Sequence, residues 1–385
     1  LRANGLAASY VSGYLATDPP PGKERMFGVD ATHAWAAVWT PQNHWLGLDP
    51  TNDQFIDERY IVVGWGRDYA DSEHGGAVDA SEYQLCANLH VAKCNWLVEV
   101  APVRRMCQSC VLTRTRPGDS DTSAMAAFAG AEKAKRRLIA ELHELKLPIV
   151  GRDGDPQYGL AFDLLSSAME QVFTGHEDGL ITLDLAEGDD VHREQLRVEM
   201  DAPYRTLLGH FRHEVGHYYF YRLIGTNAGY LQRFNDLFGD PDADYQEALD
   251  RHYSEGAPPG WKQNYVSSYA TMHPAEDWAE TFAHYLHIRD TLDTAAAFSF
   301  APANATFDRK QLGPSGFDTI IEMWLPLAWS LNMVNRSMGK EDLYPFVLPV
   351  PVLEKMRFIH TVVDEVTSDP RKLEVAVSGQ QQQQA

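Results

Sequence analysis

The stretch GHFRHEVGHYYF, residues 209–220, sets His213 and His217 four residues apart, with Glu214 directly after the first histidine. On a helix, positions i and i+4 share a face, so both imidazoles can aim at one point. Two neutral imidazoles suit Zn²⁺, and the carboxylate beside them suits a general base acting on a zinc-activated water. A catalytic zinc needs a third protein ligand and an open fourth position. One solution would place a glycine at 220 and a histidine at 223, but the chain has Phe220 and Leu223. The other solution draws a glutamate from a second helix. HPAEDWAETFAHYLHI, residues 273–288, supplies Glu276 and Glu280 on one face, with Trp278, Phe282 and Tyr285 free to pack the other side. One carboxylate can reach the metal while the other accepts the distal N–H of a ligand imidazole, which fixes the tautomer. The expectation is Glu276 on the zinc and Glu280 behind a histidine.

Cys86, Cys94, Cys107 and Cys110 form a second constellation, C-x7-C-x12-C-x2-C. Four thiolates including one C-x2-C pair suit a closed tetrahedral zinc with a structural role, so a second ion is expected. Two disulfides are the weaker reading in a chain of otherwise cytosolic character.

The elements that must position these groups fall into blocks. Residues 1–76 alternate short β-type runs (YVSGYLA, HAWAAVWT, HWLGLD, YIVVGWG) with turn residues. Residues 82–115 hold the cysteines, and 122–378 read as a mainly helical domain with a small β-sheet. In that domain a helix over MAAFAGAEKAKRRLIAELHEL precedes Pro148, and strands are expected at GLITLDLA and REQLRVEM before the histidine helix. The glutamine-rich tail, 379–385, reads as disordered. The fold class is therefore α+β. With 54 acidic against 33 basic residues the formal charge is −21, which argues against nucleic acid or an anionic membrane as partner. No apolar run has the length of a membrane span, and no signal peptide opens the chain at Leu1, so a cytoplasmic location is expected.

PYRTLLGHFRHEVGHYY followed by YVSSYATMHPAEDWAETFAHYLHIRDTLDTA resembles the bacterial zinc-binding metallopeptidase family, zincins with a cysteine-rich zinc segment upstream. The resemblance runs from about 82 to 300. It implies a zincin-like fold, peptide or protein substrates and peptide-bond hydrolysis. E-x-x-A-E after HExxH is also similar to the gluzincin arrangement, whose first carboxylate binds zinc. Tyr269 stands seven residues before Glu276, the spacing at which anthrax lethal factor and its relatives place a tyrosine over the zinc. The resemblance makes it an oxyanion donor, with Tyr265 as the fallback.

VSGYL, DATHAWAAVW, HWLGLDPTND and GRDY, within residues 1–75, resemble the bacterial transglutaminase-like domain, a papain-like fold with a Cys, His, Asp triad. The resemblance makes His33 the base and Asp49 its orienting carboxylate, with the nucleophile upstream of Leu1, so the block reads as a partial domain with a vestigial triad. Two rivals to the peptidase stand beside it. One is a transglutaminase-like cysteine acyl transferase or amidase completed by that upstream nucleophile, the other a non-catalytic zinc-binding interaction protein.

Overall fold

The computed structural model describes residues 8–15, 33–39, 45–57, 59–66, 83–100, 105–167, 172, 174–188, 206–298, 300–306 and 313–378. The expected strand REQLRVEM and the glutamine tail lie outside them. The chain folds as two compact units, Leu1–Cys107 and Gln108–Ala385.

In the first unit the alternating runs become an antiparallel sheet of five strands: β1 (Ala8–Leu15), β2 (His33–Trp39), β3 (Trp45–Asp49), β4 (Gln54–Phe55) and β5 (Tyr60–Gly66), in the order β4-β3-β2-β1-β5. Successive side chains point to opposite faces, so Val11 and Leu15 on β1 meet Trp35 and Ala37 on β2 in one small core, with Tyr60 beside them. Gly13 sits where the β1–β5 register shifts. A Cβ there would lie 1.9 Å from the Ile61 carbonyl oxygen, so only glycine lets the strands close.

Asp49 ends β3 and is 1% exposed. Its Oδ1 accepts from the amides of Thr51 (2.9 Å) and Asn52 (3.3 Å). Its Oδ2 accepts from the Tyr60 hydroxyl (2.6 Å) and Asn52 Nδ2 (2.6 Å), and His33 Nε2 lies 2.7 Å away. Burial works to raise its pKa, but the bonds from Tyr60, Asn52 and His33 outweigh it and hold the carboxyl below its usual range. Burial and the Asp49 carboxylate together push the Tyr60 hydroxyl up to about 12. Two short strands complete the described part of this unit, β6 (Tyr83–Leu85) and β7 (Leu97–Glu99), paired antiparallel.

The second unit is mainly helical, which makes the chain as a whole α+β. Its sheet holds β8 (Thr113–Thr115), β9 (Ala161–Leu165), β10 (Gly175–Glu177) and β11 (Leu180–Asp184) in the order β10-β11-β9-β8. β8, β9 and β11 run parallel, and β10 is antiparallel to β11 at one edge. Helix α1 (Thr122–Glu144) starts at Asp121, whose side chain accepts from the Ala124 amide, and stops before the left-handed Lys146 (φ 59°). Its buried residues Ala124, Phe128, Ala131, Leu138 and Leu142 follow the helical period.

Helix α2 (Leu207–Tyr219) carries the two histidines and continues into a π-helical turn, Phe220–Ile224. Thr206 caps it through the Gly209 amide (3.0 Å). After α3 (Ala228–Phe238) and α4 (Tyr245–Glu255) comes the long α5 (Pro274–Ala297). Its cap is His273, whose Nδ1 accepts from the Ala275 amide (3.1 Å), and proline fills the first helical position. Helices α6 (Gly313–Ser337), α7 (Val350–Ser368) and α8 (Pro370–Ser378) follow, and Phe317, Ile320, Trp324, Val352 and Met356 bury the far half of α5. Among the described residues no helix is long and apolar enough to cross a membrane.

α2 and α5 cross at Gly216. A Cβ there would stand 3.0 Å from Ala279 Cα and 3.3 Å from its carbonyl oxygen. Trp278 Nε1 donates to the Gly216 carbonyl at 2.9 Å across the same crossing. Arg212, on the far side of α2, donates to Glu141 on α1 (3.0 Å) and Asp290 on α5 (2.6 Å), which fixes the rotation of α2 against both neighbours.

Two outcomes follow from this packing. Gly216→Ala pushes a methyl into backbone, so denaturant titration should show a loss of about 1–3 kcal/mol even though alanine favours helix; an unchanged or higher midpoint would contradict the close crossing. In the first unit, the lowered Asp49 carboxyl contributes stability present above about pH 4 and lost as pH falls through its folded value. The raised Tyr60 hydroxyl contributes stability present below about pH 10 and lost as pH rises toward about 12. Amide protection of β2, corrected for intrinsic exchange, should therefore plateau between those limits. Asp49→Asn should remove the acid limb and Tyr60→Phe the alkaline one; an acid limb that survives Asp49→Asn would show that another group controls it.

Candidate metal centre

His213 and His217 stand one turn apart on α2 and face Glu276, the third residue of α5. His213 Nε2 lies 3.0 Å from Glu276 Oε2, His217 Nε2 3.5 Å from Glu276 Oε1, and the two Nε2 atoms 3.3 Å from each other. One turn along α5, Glu280 Oε1 lies 2.8 Å from His213 Nδ1, and its other oxygen accepts from the Ser267 hydroxyl at 2.5 Å. A carboxylate on Nδ1 places the imidazole proton there and leaves the Nε2 lone pair facing the centre.

The donor set fits a divalent cation. Ligand atoms of His213, His217 and Glu276 all lie within 4.8 Å of one another, and Glu276 Oε2 is buried without an aligned hydrogen bond. Its approach to His213 is close, but two lone-pair acceptors facing each other require positive charge between them. Electrostatics state the same demand. Burial works to lower the His213 pKa, yet Glu276 and Glu280 hold it well above the ordinary value. Burial works to raise Glu276, yet His217 and His213 hold it well below the carboxylate range, and His213 likewise brings Glu280 down to about 2 against its burial. Two imidazole nitrogens and one carboxylate oxygen are a donor set that could hold a zinc ion.

Tyr269, in a 3-10 turn over Tyr269–Thr271, sets its ring 5.9 Å from that of His213. Burial raises its pKa, and the Glu276 and Glu214 charges add to the effect, as does its interaction with the Tyr245 hydroxyl. Tyr245, the first residue of α4, donates in turn to Glu276 Oε1 at 3.1 Å. Glu214 is 8% exposed, and its charge acts on both tyrosines. The fallback Tyr265 lies instead under the Lys355 ammonium, 4.4 Å from ring centroid to Nζ, against the α6–α7 core.

Three neighbours of the centre escape sequence reasoning. Tyr245 and Ser267 come from segments whose spacing to the motifs carries no period. The third, His176, lies on the edge strand β10 and stacks on His217 at 6.0 Å; its Nε2 accepts from the Gly179 amide (3.0 Å), and burial, with His217 and Arg152, lowers its pKa to about 3. The only available signal was the GHEDG stretch at a strand edge. Of the other histidines, His273 caps α5 and His284 pairs with the Tyr344 hydroxyl (2.9 Å).

The four cysteines are buried, none is in a disulfide, and their sulfurs lie within 4.8 Å of one another. Cys94 and Cys107 Sγ are 3.6 Å apart, well beyond a disulfide bond of about 2.05 Å, so the disulfide reading is set aside. The Cys107 amide donates to Cys86 Sγ (3.3 Å), a contact that favours thiolate. The turn between Cys86 and Cys94 closes through Asn88, whose carbonyl accepts from the amides of Ala92 and Cys94, with Lys93 left-handed (φ 51°). A tetrahedral thiolate ion site fits this cluster. In the other constellation, the first unit's sheet brings His33 and Asp49 side by side.

Comparison with known proteins supports zinc as the metal. The family described as "Putative zinc-binding metallo-peptidase" matches residues 124–362, a zinc-ribbon domain matches 61–121, and the transglutaminase-like superfamily matches 1–50. The uncharacterized proteins Rv2568c of Mycobacterium tuberculosis and Mb2598c of Mycobacterium bovis are each 74% identical over 291 residues, covering 76% of this chain and 85% of theirs. A different uncharacterized protein of Mycobacterium tuberculosis, Rv2569c, is 80% identical over 75 residues, 18% of this chain and 24% of its own length. No solved structure matches the chain. The peptidase match spans more than half of the chain and takes in the helices that carry His213, His217 and Glu276: this protein belongs to that zinc-binding metallopeptidase family.

Proposed function

We propose that the chain is a zinc-dependent peptidase that hydrolyses peptide bonds of a peptide or protein substrate. The observation that carries this reading is the convergence of His213, His217 and Glu276 with Glu214 beside them on α2. His213, His217 and Glu276 would hold the ion, and Glu280 keeps the His213 proton on Nδ1. Zinc, when bound, acidifies a water and polarises the scissile carbonyl. Glu214 takes the proton of the attacking water and returns it to the leaving amine. Tyr269 turns its hydroxyl from Tyr245 toward the developing oxyanion, a charge it can meet as a donor because burial keeps it protonated. The edge strand β10 offers an extended substrate backbone pairing partners, and the ring of His176 walls the centre behind His217.

In this reading residues 122–378 are the catalytic domain and residues 82–115 a structural segment whose Cys86, Cys94, Cys107 and Cys110 hold a second zinc. Residues 1–76 are a partial transglutaminase-like domain. The bonded pair His33–Asp49 favours a second reading for that block alone, acyl transfer completed by a nucleophile upstream of Leu1.

Glu214→Gln should retain zinc, because the base acts on water rather than on the ion, and should lose about two to four orders of magnitude in turnover of a peptide library; unchanged hydrolysis would sink the mechanism. Metal analysis of the purified chain should find about two zinc ions, falling to about one in Cys107→Ser with the histidine site still loaded. Four thiols that titrate freely in the metal-loaded chain would refute the cysteine site.

A further inference from the structure

We propose that the Tyr245 hydroxyl sets how Glu276 meets its metal: by occupying Oε1 it keeps the carboxylate to one ligand oxygen, Oε2, and so keeps the ion four-coordinate, with a water in the fourth position. The inference rests on Glu276 being a ligand, as proposed above.

The two carboxylate oxygens have different surroundings. Oε1 accepts from Tyr245 at 3.1 Å, whereas Oε2 is buried, makes no aligned hydrogen bond and lies 3.0 Å from His213 Nε2. A glutamate with both oxygens free can chelate, and a chelating carboxylate beside the bound water would make the ion five-coordinate before a substrate carbonyl arrives. A hydroxyl proton on one oxygen opposes that mode, because the oxygen must give up a hydrogen bond to turn its lone pair to the ion.

The fold holds Tyr245 firmly for this task. It opens α4 behind the cap of Asp244, which accepts from the Glu247 amide at 2.9 Å. Its ring packs 5.3 Å from that of His273. His273 in turn caps α5 through Nδ1 and bonds the Ala243 carbonyl through Nε2 at 3.0 Å. One histidine thus ties the start of α5, which places Glu276, to the start of α4, which places Tyr245. The Tyr269 hydroxyl interacts with that of Tyr245 on the same side of the centre. When Tyr269 turns to substrate, the Tyr245 proton stays on Glu276. Tyr245 is a positioning residue in this scheme and touches no reacting atom.

The test is visible absorption of the full chain loaded with Co²⁺ in place of zinc. Four-coordinate cobalt absorbs more intensely than five-coordinate cobalt, and the band of a thiolate-bound ion, common to parent and variants, cancels in the difference. Tyr245→Phe keeps the ring on His273 and removes only the hydroxyl; its d–d band at the histidine site should lose intensity as Oε1 turns to the ion. Tyr245→Ala should lose no more than Tyr245→Phe. Full parental intensity in Tyr245→Phe, with a changed band in Glu276→Gln, would overturn this role and leave the ligand assignment standing. A loss in Tyr245→Ala that Tyr245→Phe lacks would assign the effect to the ring and overturn it equally. An unchanged band in Glu276→Gln would overturn the ligand assignment and this inference together.

Discussion

Two glutamates of one helix face a histidine of another at 3.0 and 2.8 Å, and the rest of the second unit keeps those helices at that distance. The separation is set by Gly216, where the backbones of α2 and α5 approach so closely that even a methyl group would press on Ala279. A bulkier residue there would move the imidazoles away from Glu276 and Glu280 together. Trp278 adds a directional bond at the same place, so the crossing is fixed in register as well as in distance.

Burying so many ionisable groups demands that each be paired. Arg212 meets Glu141 and Asp290, and without that guanidinium burial would raise Glu141 further than its present value of about 8. Asp277, the neighbour of Glu276 in sequence, bonds the buried Lys355 of α7 at 2.5 Å. These pairs lie on the flanks of α2 and α5 that face away from the histidines, and removing one partner would leave a buried charge uncompensated. At the centre itself Glu276 and Glu280 both face His213 with no cationic side chain of Lys or Arg bonded to either among the described residues, and a divalent cation held there would offset their charge.

The helices of this site were legible because their information is local. An i, i+4 histidine pair, a paired-glutamate segment with aromatics on its other side, and a proline at the start of the second helix all lie within single segments, and the strand runs of the first unit alternate with period two. What escaped depends on contacts between segments. Tyr245 reaches the site from the first residue of α4, Ser267 from a bend before α5, and His176 from a three-residue strand too short to show alternation. In the first unit His33 and Asp49 were readable through a family resemblance, but Asn52 and Tyr60, which hold the Asp49 carboxylate, were not, since one acts through a turn and the other across the sheet. The cysteine spacings of seven and twelve residues are irregular, and only the fold brings the four sulfurs together.

The central claim is that α2 and α5 together build one zinc site. Anomalous diffraction at the zinc absorption edge, from crystals of the chain purified without chelator, tests it directly. The account predicts a peak bonded by Nε2 of His213, Nε2 of His217 and a carboxylate oxygen of Glu276, with Glu280 on Nδ1 of His213 and no fourth protein ligand. A zinc-loaded crystal with no peak among these three side chains, or with a fourth side chain closing the site, would contradict it.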